Sequence, residues 1–177
     1  RMGVAFYTWD HYGPMVRYIK DAALLLDAVK GPHDADKFSL PEQNINYLEG
    51  IKEKPNKLKI GYSLDLGFAK AIDPEVEKNV LNAIQKFEKL DWTIEKAKIK
   101  LKRAELVFYT LVTAGVAFDH KSELGKWKKN LTPGFAKQID IGMQTSGDAI
   151  EKAINQRRLM YEEMYRFFQN YDLLITP

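Results

Sequence analysis

Serine is the first candidate for a nucleophile in this sequence, because the chain contains no cysteine. A serine nucleophile needs a neighbouring base and a defined turn, and the Gly-x-Ser-x-Gly motif that provides such a turn surrounds none of the serines. Ser146 is the best placed of them, directly before a long amphipathic pattern. A serine in that position is typical of a helix N-cap, and we favour this interpretation over a catalytic one.

The spacing of the histidines does not indicate a metal site, and the spacing of the glycines does not indicate a cofactor-binding loop. No two of the three histidines, His11, His33 and His120, stand four residues apart, and no H-E-x-x-H motif is present. The segment 61–67 contains two glycines between a predicted strand and a predicted helix, but it lacks the G-x-G-x-x-G pattern of a phosphate loop. The sequence therefore predicts no metal site and no cofactor.

A basic ladder is formed by Lys98, Lys100, Lys102 and Arg103, with apolar residues between the lysines. Such a ladder could follow the phosphate backbone of a nucleic acid. It could also be the solvent face of an edge strand, where lysine prevents pairing with other strands. We favour the edge strand, so a nucleic-acid partner is not expected.

The elements that would position these side chains alternate between helix and strand. Apolar residues at helical spacing predict a helix over 16–29, which Gly31-Pro32 ends. A long polar loop is predicted over 32–57. A βαβ unit is predicted over about 58–101, with strands at 58–62 and 92–101 and a helix that begins at Asp73-Pro74. A helical region follows over about 104–170, with helices at 104–119 and 146–168 and an irregular basic stretch at 121–134. The last strand is predicted at 173–177.

Composition limits the class of protein. The chain has 177 residues, of which 45% are hydrophobic, and its 27 basic and 24 acidic residues give a net charge of +3. This composition excludes a disordered or collagenous chain, and the charge is too balanced to require a nucleic acid or a membrane. No apolar run approaches the roughly 18 residues of a membrane-spanning helix. We expect a cytoplasmic α/β protein.

Three segments resemble motifs of one enzyme family. Residues 10–15 read D-H-Y-G-P-M and are followed by D-A-A-L-L-L-D at 21–27. Residues 58–62 read L-K-I-G-Y and precede D-P-E-V at 73–76, and residues 171–177 read Y-D-L-L-I-T-P. Each motif is weak alone, but all three occur in the order found in the amidase signature family. The sequence is therefore similar to this family over nearly its whole length.

The resemblance implies an α/β/α sandwich with a mixed sheet covered by helices, of which this chain would form an incomplete part. It also implies hydrolysis of small-molecule amides by a Ser–cis-Ser–Lys triad without a cofactor. In the family, the triad precedes the D-H-x-G-P-M segment, but only nine residues precede Asp10 here, and no Gly/Ser-rich run is present. We therefore expect the C-terminal portion of a single amidase domain, inactive without the missing N-terminal part, and we assign no catalytic residue.

The same resemblance places one segment near the substrate pocket, namely Asp10, His11, Gly13, Pro14 and Met15. If part of the domain is missing, apolar surface should be exposed at 173–175 and at 6–9. The loop over 62–67 resembles stand-alone amidases more than the A subunit of glutamyl-tRNA amidotransferase, which remains the alternative within the family. Outside the family, the alternative is a non-catalytic module that binds RNA or protein. A homodimer is compatible with the sequence.

Overall fold

A computed structural model describes residues 13–177 apart from residues 37, 56 and 128. The described residues divide into two compact units, one within residues 7–56 and the other within residues 57–177. Among the described residues, no helix combines the length and the apolar character that crossing a membrane would require.

The unit of residues 7–56 contains two helices, α1 (Ile19–Val29) and α2 (Tyr47–Gly50). α1 ends where the sequence predicts, and Gly31 follows it with a φ of +112°, a conformation that glycine adopts without strain. The loop predicted over 32–57 contains the short helix α2. This turn forms because the Asn46 side chain caps it by accepting a hydrogen bond from the Glu49 amide at 2.9 Å.

The second unit is built on a parallel sheet of strands β1 (Lys59–Tyr62), β2 (Thr93–Lys96) and β3 (Leu173–Ile175), in the order β2-β1-β3. Ile60 of the central strand lies opposite Ile94 on one side and Leu173 on the other. Helix α3 (Pro74–Phe87) and a 3₁₀ turn (Glu88–Leu90) connect β1 to β2. A strand, a helix and a parallel strand in succession confirm the α/β class.

The strand predicted over 92–101 is wrong in its second half, because β2 ends at Lys96. Its neighbour β1 ends at Tyr62, so the ladder has no further partner strand. Residues 97–101 instead follow the loop after β1, and the Leu101 amide donates to the Leu66 carbonyl at 3.0 Å. Burial still alternates there, with Ala97 and Ile99 buried and the lysines exposed. The basic ladder therefore lies beyond the edge strand and not within it.

Three helices follow, α4 (Ala104–Trp127), α5 (Pro133–Gln144) and α6 (Gly147–Phe168). The prediction of an irregular stretch over 121–134 is wrong, because α4 continues to Trp127 and α5 begins at Pro133. Residues 121–127 are mostly polar, so they lack the apolar periodicity that indicates a helix. The start of α5 is capped by Thr132, whose hydroxyl accepts from the Phe135 amide at 3.4 Å. Ser146 caps α6 by accepting from the Ala149 amide at 3.2 Å, which confirms the cap interpretation.

Two apolar clusters hold the second unit together. One joins α6 to the sheet region through Phe167, Ala97 and Ile99. The other joins α4 to α5 through Val116, Ala117 and Ile139. Gly61 allows the first contact, because a Cβ atom at this position of β1 would lie 2.7 Å from the Phe167 ring. The C-terminal turn of α6 therefore packs directly on the central strand.

Candidate functional site

The carboxyl ends of the three parallel strands meet at one edge of the sheet, which is where open α/β sheets usually bind their ligands. Ser63 follows β1, Ala97 follows β2 and Thr176 follows β3. The chain continues to pair beyond the strands, because the Ser63 amide donates to the Ile175 carbonyl at 3.0 Å and the Ala97 amide donates to the Tyr62 carbonyl at 2.8 Å. This edge is the candidate site of the second unit.

The loop after β1 is a tight turn made by two side chains. Ser63 is only 3% exposed, and its hydroxyl oxygen accepts from the Leu66 amide at 3.0 Å. The hydroxyl also lies 3.4 Å from the Asp65 carboxylate, which accepts from the Gly67 amide at 2.8 Å. The polar groups of Ser63 and Asp65 are therefore used to shape the turn. Among the described residues, no histidine or lysine hydrogen-bonds Ser63.

The same loop is fixed against the segment after β2 by Gly67. This residue has a φ of +73°, and a Cβ atom there would lie 2.4 Å from the Ile99 carbonyl oxygen. Both the backbone conformation and the close approach require glycine at this position. The loop after β1 therefore packs directly on the segment after β2 at the carboxyl edge of the sheet.

A polar cluster nearer the amino ends of β1 and β3 consists of Lys59, Glu95 and Tyr171. The Tyr171 hydroxyl donates to the Glu95 carboxylate at 2.7 Å, and the Lys59 ammonium lies 3.3 Å from the same oxygen. The hydrogen bond from Tyr171, followed by the one from Lys59, lowers the pKa of Glu95, and the Glu95 carboxylate raises the pKa of Tyr171. Both shifts favour the protonation state that the group ordinarily has at neutral pH, which is ionised for Glu95 and neutral for Tyr171. The cluster links β1, β2 and the residues before β3.

In the unit of residues 7–56, Asp27 has the most perturbed carboxylate among the described residues. Its Oδ1 atom accepts from the Lys30 ammonium at 2.7 Å, and its two oxygens accept from the Tyr47 and Leu48 amides at 2.9 Å each. The Lys30 hydrogen bond, followed by the two amides, lowers the pKa of Asp27 to about 2. Asp27 thus joins α1 to the first two residues of α2 through hydrogen bonds from their backbone amides.

Replacing Asp27 by asparagine should lower the stability of the chain at neutral pH, because the carboxylate and one of its two acceptor oxygens are lost. The depressed pKa means that the stabilisation is fully present above the ordinary value of 3.8 and is lost as the pH falls through about 2. We expect the urea midpoint of Asp27→Asn to be lower than that of the parent chain at pH 7 and to approach it at pH 2. Asp34→Asn is the matched control, since Asp34 is exposed and makes no hydrogen bond with the described residues. A difference in midpoint that stays constant between pH 7 and pH 2 would contradict this role.

The structure describes only some of the residues that the D-H-Y-G-P-M segment predicts to lie near a substrate pocket. Asp10 and His11 lie outside the described residues. Gly13, Pro14 and Met15 are exposed, and within the described part of the chain none of them makes a hydrogen bond or an ion pair. Their place near a pocket stays a prediction.

The remaining candidates have local structural roles. Ser39 accepts from the His33 amide at 2.9 Å and closes a turn. His120 lies 3.2 Å from Glu123 on the same helix. The described residues contain no group of histidine, aspartate and glutamate side chains that could hold a metal ion. The Ser63 turn was not predicted from the sequence, although Ser63 and Asp65 followed by a glycine were the available signal.

Similarity to known proteins extends over nearly the whole chain. A family model described as Amidase matches residues 3–177. An acylamidase of Rhodococcus erythropolis is 28% identical over 176 residues, which cover 97% of this chain and 36% of that protein. The A subunit of the glutamyl-tRNA(Gln) amidotransferase of Streptococcus uberis is 25% identical over 193 residues, or 95% of this chain and 39% of that protein. The crystal structure of a bacterial aryl acylamidase of the amidase signature enzymes matches with a TM-score of 0.83 at 20% identity, over 93% of this chain and 36% of that chain.

Proposed function

Since this chain belongs to the Amidase family, we propose that it is part of a stand-alone amidase that hydrolyses carboxylic amides to an acid and an amine or ammonia. The observation that carries the proposal is the match of the family model over residues 3–177. The fold is that of the amidase signature enzymes, as the TM-score of 0.83 shows. The proposed substrate class is a small-molecule amide, and the proposed compartment is the cytoplasm.

The length of the relatives supports a larger catalytic domain. The chain spans 36% of the acylamidase and 39% of the amidotransferase protein that it matches. The serines of this chain also do not form the Gly/Ser-rich run that carries the family's Ser–cis-Ser–Lys triad. We propose that the triad lies on a preceding segment of the same polypeptide, and that residues 1–177 supply part of the sheet and the helices that support it.

The exposed apolar surface of the described residues supports the same proposal. On α1, the apolar stripe that predicted the helix is mostly uncovered, since Ile19 is 72% and Val29 is 67% exposed. On the second unit, Phe118, Tyr161 and Leu173 are about half exposed or more. Apolar helix stripes of this kind normally face a core. Of the residues expected to expose apolar surface at 173–175, Leu173 is exposed and the other two are partly buried, whereas residues 6–9 lie outside the described residues.

Amide hydrolysis is the direct test of the proposal. We expect the isolated 177-residue chain to release no p-nitroaniline from acyl p-nitroanilides. The polypeptide extended by the coding sequence that precedes residue 1 should do so at least about 10⁴-fold faster, which is the scale of removing members of a catalytic triad. Turnover by the isolated chain would contradict the upstream triad. An extended protein that hydrolyses none of a panel of simple aryl and alkyl amides would contradict the amidase itself.

The similarity to the A subunit of glutamyl-tRNA(Gln) amidotransferase favours a second candidate function within the family. It rests on 25% identity over 95% of this chain. A stand-alone amidase hydrolyses simple amides by itself, whereas a component of a larger enzyme would depend on its partners. Turnover of simple amides by the purified, extended protein alone would therefore favour the first candidate.

A further inference from the structure

A basic groove of about 510 Å³ lies between the segment before α4 and the side of α6. Lys100, Lys102 and Arg103 line it from the segment, and Glu163 and Arg166 line it from α6. The sequence places the first three residues together, but Arg166 joins them only through the fold, from more than sixty positions away along the chain.

The groove carries four cationic side chains against a single carboxylate. That carboxylate, Glu163, pairs with Arg166 at 3.0 Å. Within the part of the chain that the structure describes, the side chains of Lys100, Lys102 and Arg103 make no ion pair and no hydrogen bond. Three positive charges thus share one concave surface without an anionic partner, which concentrates positive potential there.

Backbone contacts fix the segment that carries these side chains. The Gln156 side chain donates to the Lys102 carbonyl at 3.2 Å and ties the segment to α6. Arg103 has a φ of +62°, which is uncommon for a residue other than glycine and occurs often at functional sites. The Arg103 carbonyl accepts from the Val107 amide at 2.9 Å, so the first turn of α4 fixes this conformation.

The rest of the lining distinguishes between kinds of anion. Leu159 and Met160 give the groove an apolar side, and none of its described lining residues is aromatic. Single-stranded nucleic acids bind largely by stacking bases on aromatic rings, and these residues provide no such surface. Arginine and lysine side chains bind phosphate and carboxylate groups by charge-assisted hydrogen bonds.

We propose that this groove binds a small oxyanion, a phosphate or a carboxylate attached to a short apolar group. The anion would lie among Lys100, Lys102 and Arg103, and the apolar group would lie against Leu159 and Met160. The proposal is independent of amide hydrolysis, because it uses none of the residues at the carboxyl edge of the sheet.

Calorimetric titration of the 177-residue chain with butyl phosphate, butyrate and inorganic phosphate tests the proposal. We expect saturable binding of butyl phosphate, of butyrate or of both, and the tighter of the two identifies the anion. Inorganic phosphate should bind more weakly than butyl phosphate, because it has no apolar group. Lys100→Gln and Arg103→Gly should each weaken binding by about tenfold or more, the scale of a charge-assisted hydrogen bond. Arg103→Gly suits the left-handed backbone, so it removes the guanidinium without adding strain.

Lys78→Gln is the matched control, because Lys78 is an exposed lysine on α3 outside the groove. It should leave binding unchanged while lowering the net charge by the same amount as Lys100→Gln. Absence of saturable binding of both butyl ligands would overturn the proposal, as would equal effects of Lys78→Gln and Lys100→Gln. Binding of an RNA oligonucleotide that Lys100→Gln weakens, without binding of either butyl ligand, would overturn it in favour of a nucleic acid.

Discussion

Replacing Gly142 by alanine should destabilise the chain by at least about 3 kcal/mol, at or above the upper end of what overpacking usually costs. Gly142 lies on α5 where it crosses α4. A Cβ atom there would lie 1.8 Å from the Thr113 carbonyl oxygen and 2.6 Å from the Ala117 Cβ atom. The obstacle is the backbone of a helix, which cannot rotate away as a side chain can. The helices would have to separate and expose Ile139, so urea denaturation followed by circular dichroism should show a much lower midpoint.

Gly125→Ala is the matched control for this prediction. Gly125 lies on α4, and nothing stands within 4 Å of a Cβ atom built there. Alanine favours a helix over glycine by roughly 0.5–1 kcal/mol, so Gly125→Ala should raise the midpoint slightly. Equal midpoints for Gly142→Ala and the parent chain would show that α4 and α5 do not cross this closely.

Truncating Ile139 to alanine should cost about 2–5 kcal/mol, the range found for large-to-small changes in a core. Ile139 is the most buried side chain in the described residues, at 0% exposed, and it packs against Val116 and Ala117. The truncation would leave a cavity between two helices, which the chain could fill only by moving one of them. Urea denaturation measures the loss directly.

Ile141→Ala, on the same helix, provides the comparison for Ile139→Ala. Ile141 is 46% exposed, so its truncation removes little buried surface and should cost much less than about 2 kcal/mol. The two variants have the same composition and nearly the same helix propensity. Similar losses for both would mean that α5 does not bury the face that the structure assigns to it.

The elements with regular apolar spacing could be predicted from the sequence. The helix at α1, the strand β1, the start of α3 at Asp73-Pro74 and the cap of α6 at Ser146 all follow local rules. α5 was not predicted, although Thr132-Pro133 is a local start signal of the same kind as Asp73-Pro74. What the sequence alone does not show is that Ile139 and Gly142 pack against α4.

The candidate sites also differ in how far the sequence alone could predict them. The tight turn after β1 could have been recognised from Ser63, Asp65 and Gly67, since these residue types form such turns by themselves. Its position at the carboxyl edge of the sheet depends on the pairing of β1 with β2 and β3. The basic groove could not be found from the ladder alone, because Arg166 reaches it from α6.

The sequence by itself determined the α/β class and the resemblance to amidases, because both depend on local patterns and on short motifs in a fixed order. Only the tertiary structure decided where β2 ends, that residues 121–127 are helical, and that three lysine and arginine side chains share a groove with Arg166. These features arise from contacts between residues far apart in the chain. Such contacts can outweigh local preferences of a few tenths of a kcal/mol per residue, and they leave little trace in the spacing of the residues involved.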